Sequence, residues 1–224
     1  MKKSWVKICG TTNYADAELA WSLNADALGF VFVEGSSRKV TVDQVREIVD
    51  TLARPIERIG VVQSQVVEEV VELVDHAGLS GVQLHGDEPQ EFVRALRGRL
   101  PAVRIIKGVH VTSAEELKDR IMQFQDCGLD NLLLDSHVAG QSGGTGIPFD
   151  WKQAAEALQQ AGNKVPVIVA GGLNAANVAE VVETFHPFGV DVVSGVESEK
   201  GRKDPKKLRA FIAAVCKEQK SEVA

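Results

Sequence analysis

"WVKICGTTN" (residues 5–13) runs from an apolar stretch into a turn, and that turn decides between two folds. Trp5, Val6 and Ile8 read as a buried strand closed by Gly10. Lys7 and Cys9 lie two residues apart, so on a strand they share one face. The turn is Gly-Thr-Thr-Asn. An open, doubly wound nucleotide-binding sheet would place G-x-G-x-x-G there. Its absence directs attention to what repeats along the rest of the chain.

Seven more apolar runs follow: "ALGFVFV" (27–33), "ERIGVVQ" (57–63), "GVQLH" (81–85), "VRIIKGV" (103–109), "NLLLD" (131–135), "PVIVAGG" (166–172) and "GVDVVSG" (189–195). Each leads into a stretch of helical periodicity. Thr41 with Gln44 and Ser113 with Glu116 have capping-box spacing, and Asp204 precedes a proline suited to a first helical turn. Gly78, Gly128 and Gly162 mark helix ends. Parallel strands need crossover helices, and eight such units in 224 residues, with no linker between them, predict an α/β fold. The architecture expected is a (β/α)8 TIM barrel forming a single domain over residues 1–224.

Composition narrows the function. The formal net charge of −6 argues against a nucleic-acid partner, so an anionic ligand has to be held by local groups. No apolar run is long enough for a membrane span, and "MKKSWVKICG" lacks the apolar core of a signal peptide. Three widely spaced cysteines, Cys9, Cys127 and Cys216, suggest a reducing, cytoplasmic setting without a disulfide framework.

Barrel enzymes place their chemistry at the C-terminal ends of the strands. Polar residues interrupt the apolar runs at those ends: Lys7 and Cys9, Gln63, Gln83 and His85, Lys107, Asp135, Asp191 and Ser194. Strands one and eight adjoin in a closed barrel, so Lys7 is expected to pair with Asp191. Cys9 is the candidate base. Lys7 and free N–H groups of the "GTTN" turn are expected to lower its pKa toward neutrality. Cys127 and Cys216 read as structural. Asp135 is the candidate acid, a partly buried carboxyl able to keep its proton. Strands one and six stand far apart around the ring, so the two groups would face a small molecule from opposite sides.

Arg38, after strand two, suits bidentate binding of a carboxylate. Gly171, Gly172, Ser194 and Gly195, after strands seven and eight, occupy the usual phosphate loops of a barrel, and "SGGTG" (142–146) is a further glycine-rich turn. Gln83, His85 and Asp191 complete the candidate substrate contacts. His85, Asp87, Asp135 and His137 could form a metal site, but there is no His-x-His after strand one and no H-E-x-x-H, so no metal is expected.

"KICGTTN", "ADALGFVFV", "SSR", "VQLHGDE", "LLLDS", "GGTGIPFDW", "AGGLNAANV", "VDVVSGVE" and "GRKD", in this order over nearly the whole chain, resemble the phosphoribosylanthranilate isomerase family of tryptophan biosynthesis. The resemblance implies a (β/α)8 barrel and an Amadori rearrangement of N-(5-phosphoribosyl)anthranilate to 1-(2-carboxyphenylamino)-1-deoxyribulose 5-phosphate. It implies no cofactor and no metal, with a phosphorylated sugar-anthranilate as the small-molecule partner. The family's base matches Cys9, its acid Asp135, its carboxylate-binding arginine Arg38, and its phosphate loops "AGG" and "SG". Assembly as a monomer or a homodimer is compatible with it. The sister isomerase of histidine biosynthesis has an aspartate where Cys9 stands. The chain departs from the family pattern at the end of strand three (Val62, Gln63, Ser64), at Val193 and at Ser37. Of the polar loops "GTTNY" and "SHVAGQSGGTG", at least one is expected to close over the ligand.

Overall fold

The computed structural model describes residues 4–53, 55–110, 113–135 and 151–221. Every predicted strand forms: β1 (Trp5–Ile8), β2 (Ala27–Val31), β3 (Glu57–Val62), β4 (Gly81–Leu84), β5 (Arg104–His110), β6 (Asn131–Asp135), β7 (Val167–Ala170) and β8 (Gly189–Val192). They pair in parallel, in chain order, and β8 closes onto β1. A helix follows each: α1 (Tyr14–Ser22), α2 (Val42–Thr51), α3 (Val67–Ala77), α4 (Gln90–Arg99), α5 (Ala114–Phe124), α6 (Trp151–Gln160), α7 (Val178–Phe185) and α8 (Pro205–Ser221). This is the (β/α)8 barrel.

The expected punctuation is in place. Thr41 and Gln44 form a reciprocal capping box, and the Ser113 hydroxyl accepts from the Glu116 N–H. The Asp204 carboxylate accepts from the N–H groups of Lys206 and Lys207. Gly78 ends α3 in the left-handed conformation at φ 62°.

Alternation along each strand creates two cores. Outward side chains such as Ile8, Leu28, Val82, Ile105 and Leu134 pack beneath the helices. Inward ones form a smaller cluster around Trp5, Ala27, Ile59, Ile106, Leu133 and Ile168. At the N-terminal end, Arg104 donates to Glu57 and Asn131 and lies over the rings of Trp5 and Phe188. That end is a plug of packed and paired groups, which leaves the opposite end for chemistry.

The same alternation corrects the placement of Lys107. Ile106 and Gly108 face inward, so Lys107 faces the helices. Its ammonium donates to Glu88 Oε2 at 2.8 Å and to the Gly86 carbonyl at 2.6 Å, 5.7 Å from the Phe124 ring centre. It is a buried structural cation and has no place at the barrel mouth.

One further element lies between β8 and α8. A 3-10 turn (Ser194–Val196) leads into an antiparallel hairpin of β9 (Glu197–Glu199) and β10 (Arg202–Lys203). Gly201, at φ 82°, takes the turn. The hairpin was not anticipated from the periodicity, and it carries two residues that bear on the site.

Candidate active site

The C-terminal end of the barrel opens into a cavity of about 250 Å³. Cys9, Arg38, Gln83, His85, Asp135, Asp191, Gly171, Gly172, Ser194 and Gly195 all line it. The ten residues come from the ends of β1, β4, β6, β7 and β8 and the loop after β2. Leu133, Val31, Val61 and Ala170 supply apolar wall between them. His137 and the "SGGTG" turn lie outside the described residues. Asp87 lines two other cavities, with Glu88 and Gly86, and does not join His85 and Asp135 around this one.

The floor of the cavity is a polar layer. The Lys7 ammonium, fully buried, donates to Asp191 Oδ2 and to Gln83 Oε1, both at 2.7 Å. Burial disfavours this cation, but the Asp191 charge, Cys9 and the hydrogen bond to Asp191 outweigh it and raise its pKa. Lysine has no acceptor, so Gln83 must present its carbonyl oxygen to it. The Gln83 amide nitrogen then points at His85 Nδ1, 3.2 Å away. An amide N–H only donates, so Nδ1 accepts and the imidazole proton sits on Nε2. His85 Nε2 faces Asp135 Oδ2 at 3.9 Å. Burial keeps His85 below its usual pKa; His110 and Lys7 act in the same direction, against the pull of Asp135 and Asp191. One chain of groups therefore spans the floor from Asp191 to Asp135 and fixes a tautomer on the way. Asp191 Oδ1, by contrast, is buried with no hydrogen-bond partner among the described residues.

Cys9 stands above Lys7 on the same face. Room for both comes from Gly29 on β2, where a Cβ atom would lie 2.6 Å from Cys9 Sγ and 2.9 Å from Lys7 Cε. The expected lowering of the Cys9 pKa is not found. Burial pushes the thiol up, Lys7 and Lys203 oppose it, and Asp191 adds to the rise. Of the "GTTN" turn's N–H groups, that of Thr11 is engaged away from the thiol. The Thr11 N–H donates to the Gly29 carbonyl at 3.0 Å, and the Asn13 side chain caps α1. Thr12 Oγ1 donates to the Gly201 carbonyl at 2.6 Å. Thr11, Thr12 and Asn13 thus tie this turn to β2, to the Gly201 turn and to α1; the other candidate lid, 136–146, lies outside the described residues.

Arg38 is half-buried, not a solvated loop arginine. Its Nε and Nη2 donate to the two oxygens of Glu197 at 2.8 and 2.6 Å. Glu197 thus takes the side-on edge of the guanidinium and leaves its end-on edge. Glu197 also accepts from Gly201 N–H and from Lys203 Nζ. Despite burial, these partners keep its carboxylate below its usual pKa.

Residues 6–214 match the family described as N-(5'-phosphoribosyl)anthranilate isomerase. A relative of that name from Methanocella arvoryzae is 40% identical over 211 residues, which span 94% of this chain and 97% of the relative. The chain belongs to the phosphoribosylanthranilate isomerase family. The Thermotoga maritima phosphoribosylanthranilate isomerase has the same fold, with a TM-score of 0.84 and 31% identity over 96% of this chain and 99% of that one. A further phosphoribosylanthranilate isomerase structure, solved with reduced 1-(o-carboxyphenylamino)-1-deoxyribulose 5-phosphate, superposes with a TM-score of 0.80 at 31% identity, again over 96% of this chain and 99% of that one.

The departures from the family pattern can now be placed. Gln63 lines the cavity and donates to the His85 carbonyl at 3.1 Å. Val193 packs against Gly10, near Arg38. Glu197 and Lys203 went unassigned in the sequence, although "SGVE" and "GRKD" are among the segments that carry the resemblance. The available signal was a pair of glutamates and a basic pair flanking a Lys-Gly turn next to a phosphate-type loop.

Proposed function

We propose that this cavity converts N-(5'-phosphoribosyl)anthranilate to 1-(2-carboxyphenylamino)-1-deoxyribulose 5-phosphate, with Cys9 as general base and Asp135 as general acid. The observation that carries this assignment is their convergence on one cavity from β1 and β6. The cavity is flanked by Arg38 on one side and the glycine-rich ends of β7 and β8 on another. A substrate with a carboxylate at one end, a phosphate at the other and a sugar between them suits that layout. The family's bound product analogue has the same three parts.

Asp135, as the acid, protonates the ribose ring oxygen. The bond from that oxygen to C1 breaks, and the anilino nitrogen's lone pair forms an iminium. Cys9 then takes the C2 proton, and the C–H electrons become the double bond of an enolamine. Proton transfer from the C2 hydroxyl to C1 gives the ketone. The iminium matters to Cys9 as well as to the sugar. A cation beside a thiol favours the thiolate, and it adds to Lys7 and Lys203 at the moment a base is needed. In the proposed mechanism the iminium thus favours the thiolate form of Cys9 at the step in which that thiolate takes the C2 proton.

The remaining contacts follow from unused valences. Asp191 Oδ1 has an acceptor site to offer a ribose hydroxyl. The end-on edge of Arg38 receives the anthranilate carboxylate. Gly171, Gly172, Ser194 and Gly195 receive the phosphate through backbone N–H groups and a hydroxyl. Gln83 and His85 orient Asp135 from below. No step calls for a metal or cofactor. Among the described residues no helix is long and apolar enough to cross a membrane. A cytoplasmic setting and a single catalytic domain over 1–224 complete the proposal.

The test is fluorimetric. Phosphoribosylanthranilate generated in situ should lose its emission rapidly with wild type, and at near-background rate with folded Cys9→Ala or Asp135→Asn. A folded wild type that leaves the emission unchanged would sink the assignment; wild-type rates in either variant would remove that residue from its role.

A further inference from the structure

Lys203 is a buried cation to which the chemistry above gives only a charge, and no contact. Its side chain is fully enclosed and reaches three oxygens: the Cys9 carbonyl at 2.6 Å, Glu197 Oε1 at 3.3 Å and the Val193 carbonyl at 3.5 Å. A lysine ammonium has three donors, and all three have a target here. Two targets are main-chain carbonyls at the mouth ends of the adjoining strands β1 and β8. Lys203 is itself held, since its N–H donates to the buried Asp16 carboxylate at 2.9 Å, which the Asn13 side chain also grips. Its pKa is lowered mainly by burial, with the Glu197 and Cys9 charges opposing. A methionine of similar length would fill the space without that cost. The ammonium is therefore retained for what it holds.

We propose that Lys203 is the positioning residue for Cys9, clasping the peptide that carries the thiol to the end of β8 and, through Glu197, to Arg38. The proposal rests on Cys9 being the base. Three links support it independently. Lys203 touches the Cys9 carbonyl and leaves the thiol itself to face the cavity. Glu197 Oε1 is shared by Lys203 and Arg38, so one carboxylate ties the base's backbone to the carboxylate-binding arginine. Gly10, the next residue after Cys9, has φ 69°, and a Cβ there would meet Arg38 Cδ at 2.6 Å. The base and the arginine thus move together or not at all.

The experiment compares Lys203→Met and Lys203→Gln with wild type. It has two readouts: steady-state turnover, and the pH profile of iodoacetamide labelling at Cys9 followed by mass spectrometry of the Cys9 peptide. Met removes both donor and charge. Its kcat should fall about tenfold to a hundredfold, the cost of a small misplacement of a reacting group, while KM changes far less because Arg38 keeps Glu197. The midpoint of Cys9 labelling should move to higher pH, since a neighbouring cation is gone. Gln keeps a donor for the Cys9 carbonyl and should recover part of the lost kcat, with the midpoint still raised. A folded Lys203→Met with wild-type kcat overturns the proposal, and so does an unshifted labelling midpoint. If Met does not fold, the Gln variant decides alone, and a wild-type midpoint in it overturns the proposal. Labelling needs no substrate, so a failure of the isomerase assignment shows as absent wild-type turnover and is separable from a failure of the clasp.

Discussion

Replacing Lys7 by methionine tests whether the polar floor of the barrel is structural, electrostatic or both. The ammonium is fully buried, and its partner Asp191 is 5% exposed. Removing one member of such a pair leaves the other charged, buried and unpaired, which costs about 3–5 kcal/mol. Asp191 would keep no hydrogen-bond partner among the described residues at either oxygen, because Oδ1 has none now. A domain of this size loses about 2–4 °C of melting temperature per kcal/mol, so the midpoint should fall by roughly 6–20 °C. Asp191→Asn added to Lys7→Met removes the stranded charge and should return most of that loss. Turnover separates the two roles, since the double variant still lacks the cation beneath Cys9. It should regain stability while Cys9 labelling stays shifted to higher pH. Calorimetry and urea unfolding on the two single variants and the double, with labelling on each, complete the cycle. A Lys7→Met midpoint within about 2 °C of wild type would refute a fully desolvated pair, because that corresponds to no more than about 1 kcal/mol.

Three other perturbations follow from the same contacts. Gly29→Ala forces a methyl against Cys9 and Lys7; it should cost about 1–3 kcal/mol in urea unfolding and lower kcat, and full activity would mean that Cys9 has slack. Arg38→Lys keeps charge but loses the fork. It should forfeit about 1.5–3 kcal/mol of carboxylate binding, seen as KM raised roughly tenfold to a hundredfold with kcat changed much less; an unchanged KM would place the anthranilate carboxylate elsewhere. Glu197 has a folded-state pKa below its unfolded value of about 4.3, so its stabilisation is present above that value and is lost as pH falls through the folded one. The stability gap between wild type and Glu197→Gln should therefore narrow below about pH 4; a gap constant from pH 7 to pH 3 would contradict the depressed pKa.

The frame of this protein was legible because each strand is a short Val, Ile, Leu run between turn signals, and because alternation assigns faces with no knowledge of partners. Lys7 with Asp191 was foreseeable on that basis, since only barrel closure brings residues 184 apart into hydrogen-bonding distance. Lys107 was misplaced by the same rule applied too loosely. Being late in a strand says how near a residue is to the mouth, and parity says whether it faces it. The hairpin Glu197–Lys203 was invisible to periodicity, as strands of three and two residues have none.

The direction of the Cys9 pKa was out of reach for a different reason. A sequence displays the cation two residues away, but desolvation depends on what encloses the thiol. Here Gly29 leaves just enough room for Cys9 and Lys7, and the surrounding barrel excludes water from both. A thiol poised low in the free enzyme would be exposed to alkylation and oxidation between turnovers. Lys7 from beneath and Lys203 from the β8 side each favour the thiolate without overcoming burial; in the proposed mechanism the iminium adds the further positive charge. Cys9 labelling should accordingly stay slow at neutral pH in the free enzyme. Rapid labelling there, with a midpoint at or below that of an unperturbed thiol, would mean that the two lysines suffice and the iminium has no such part.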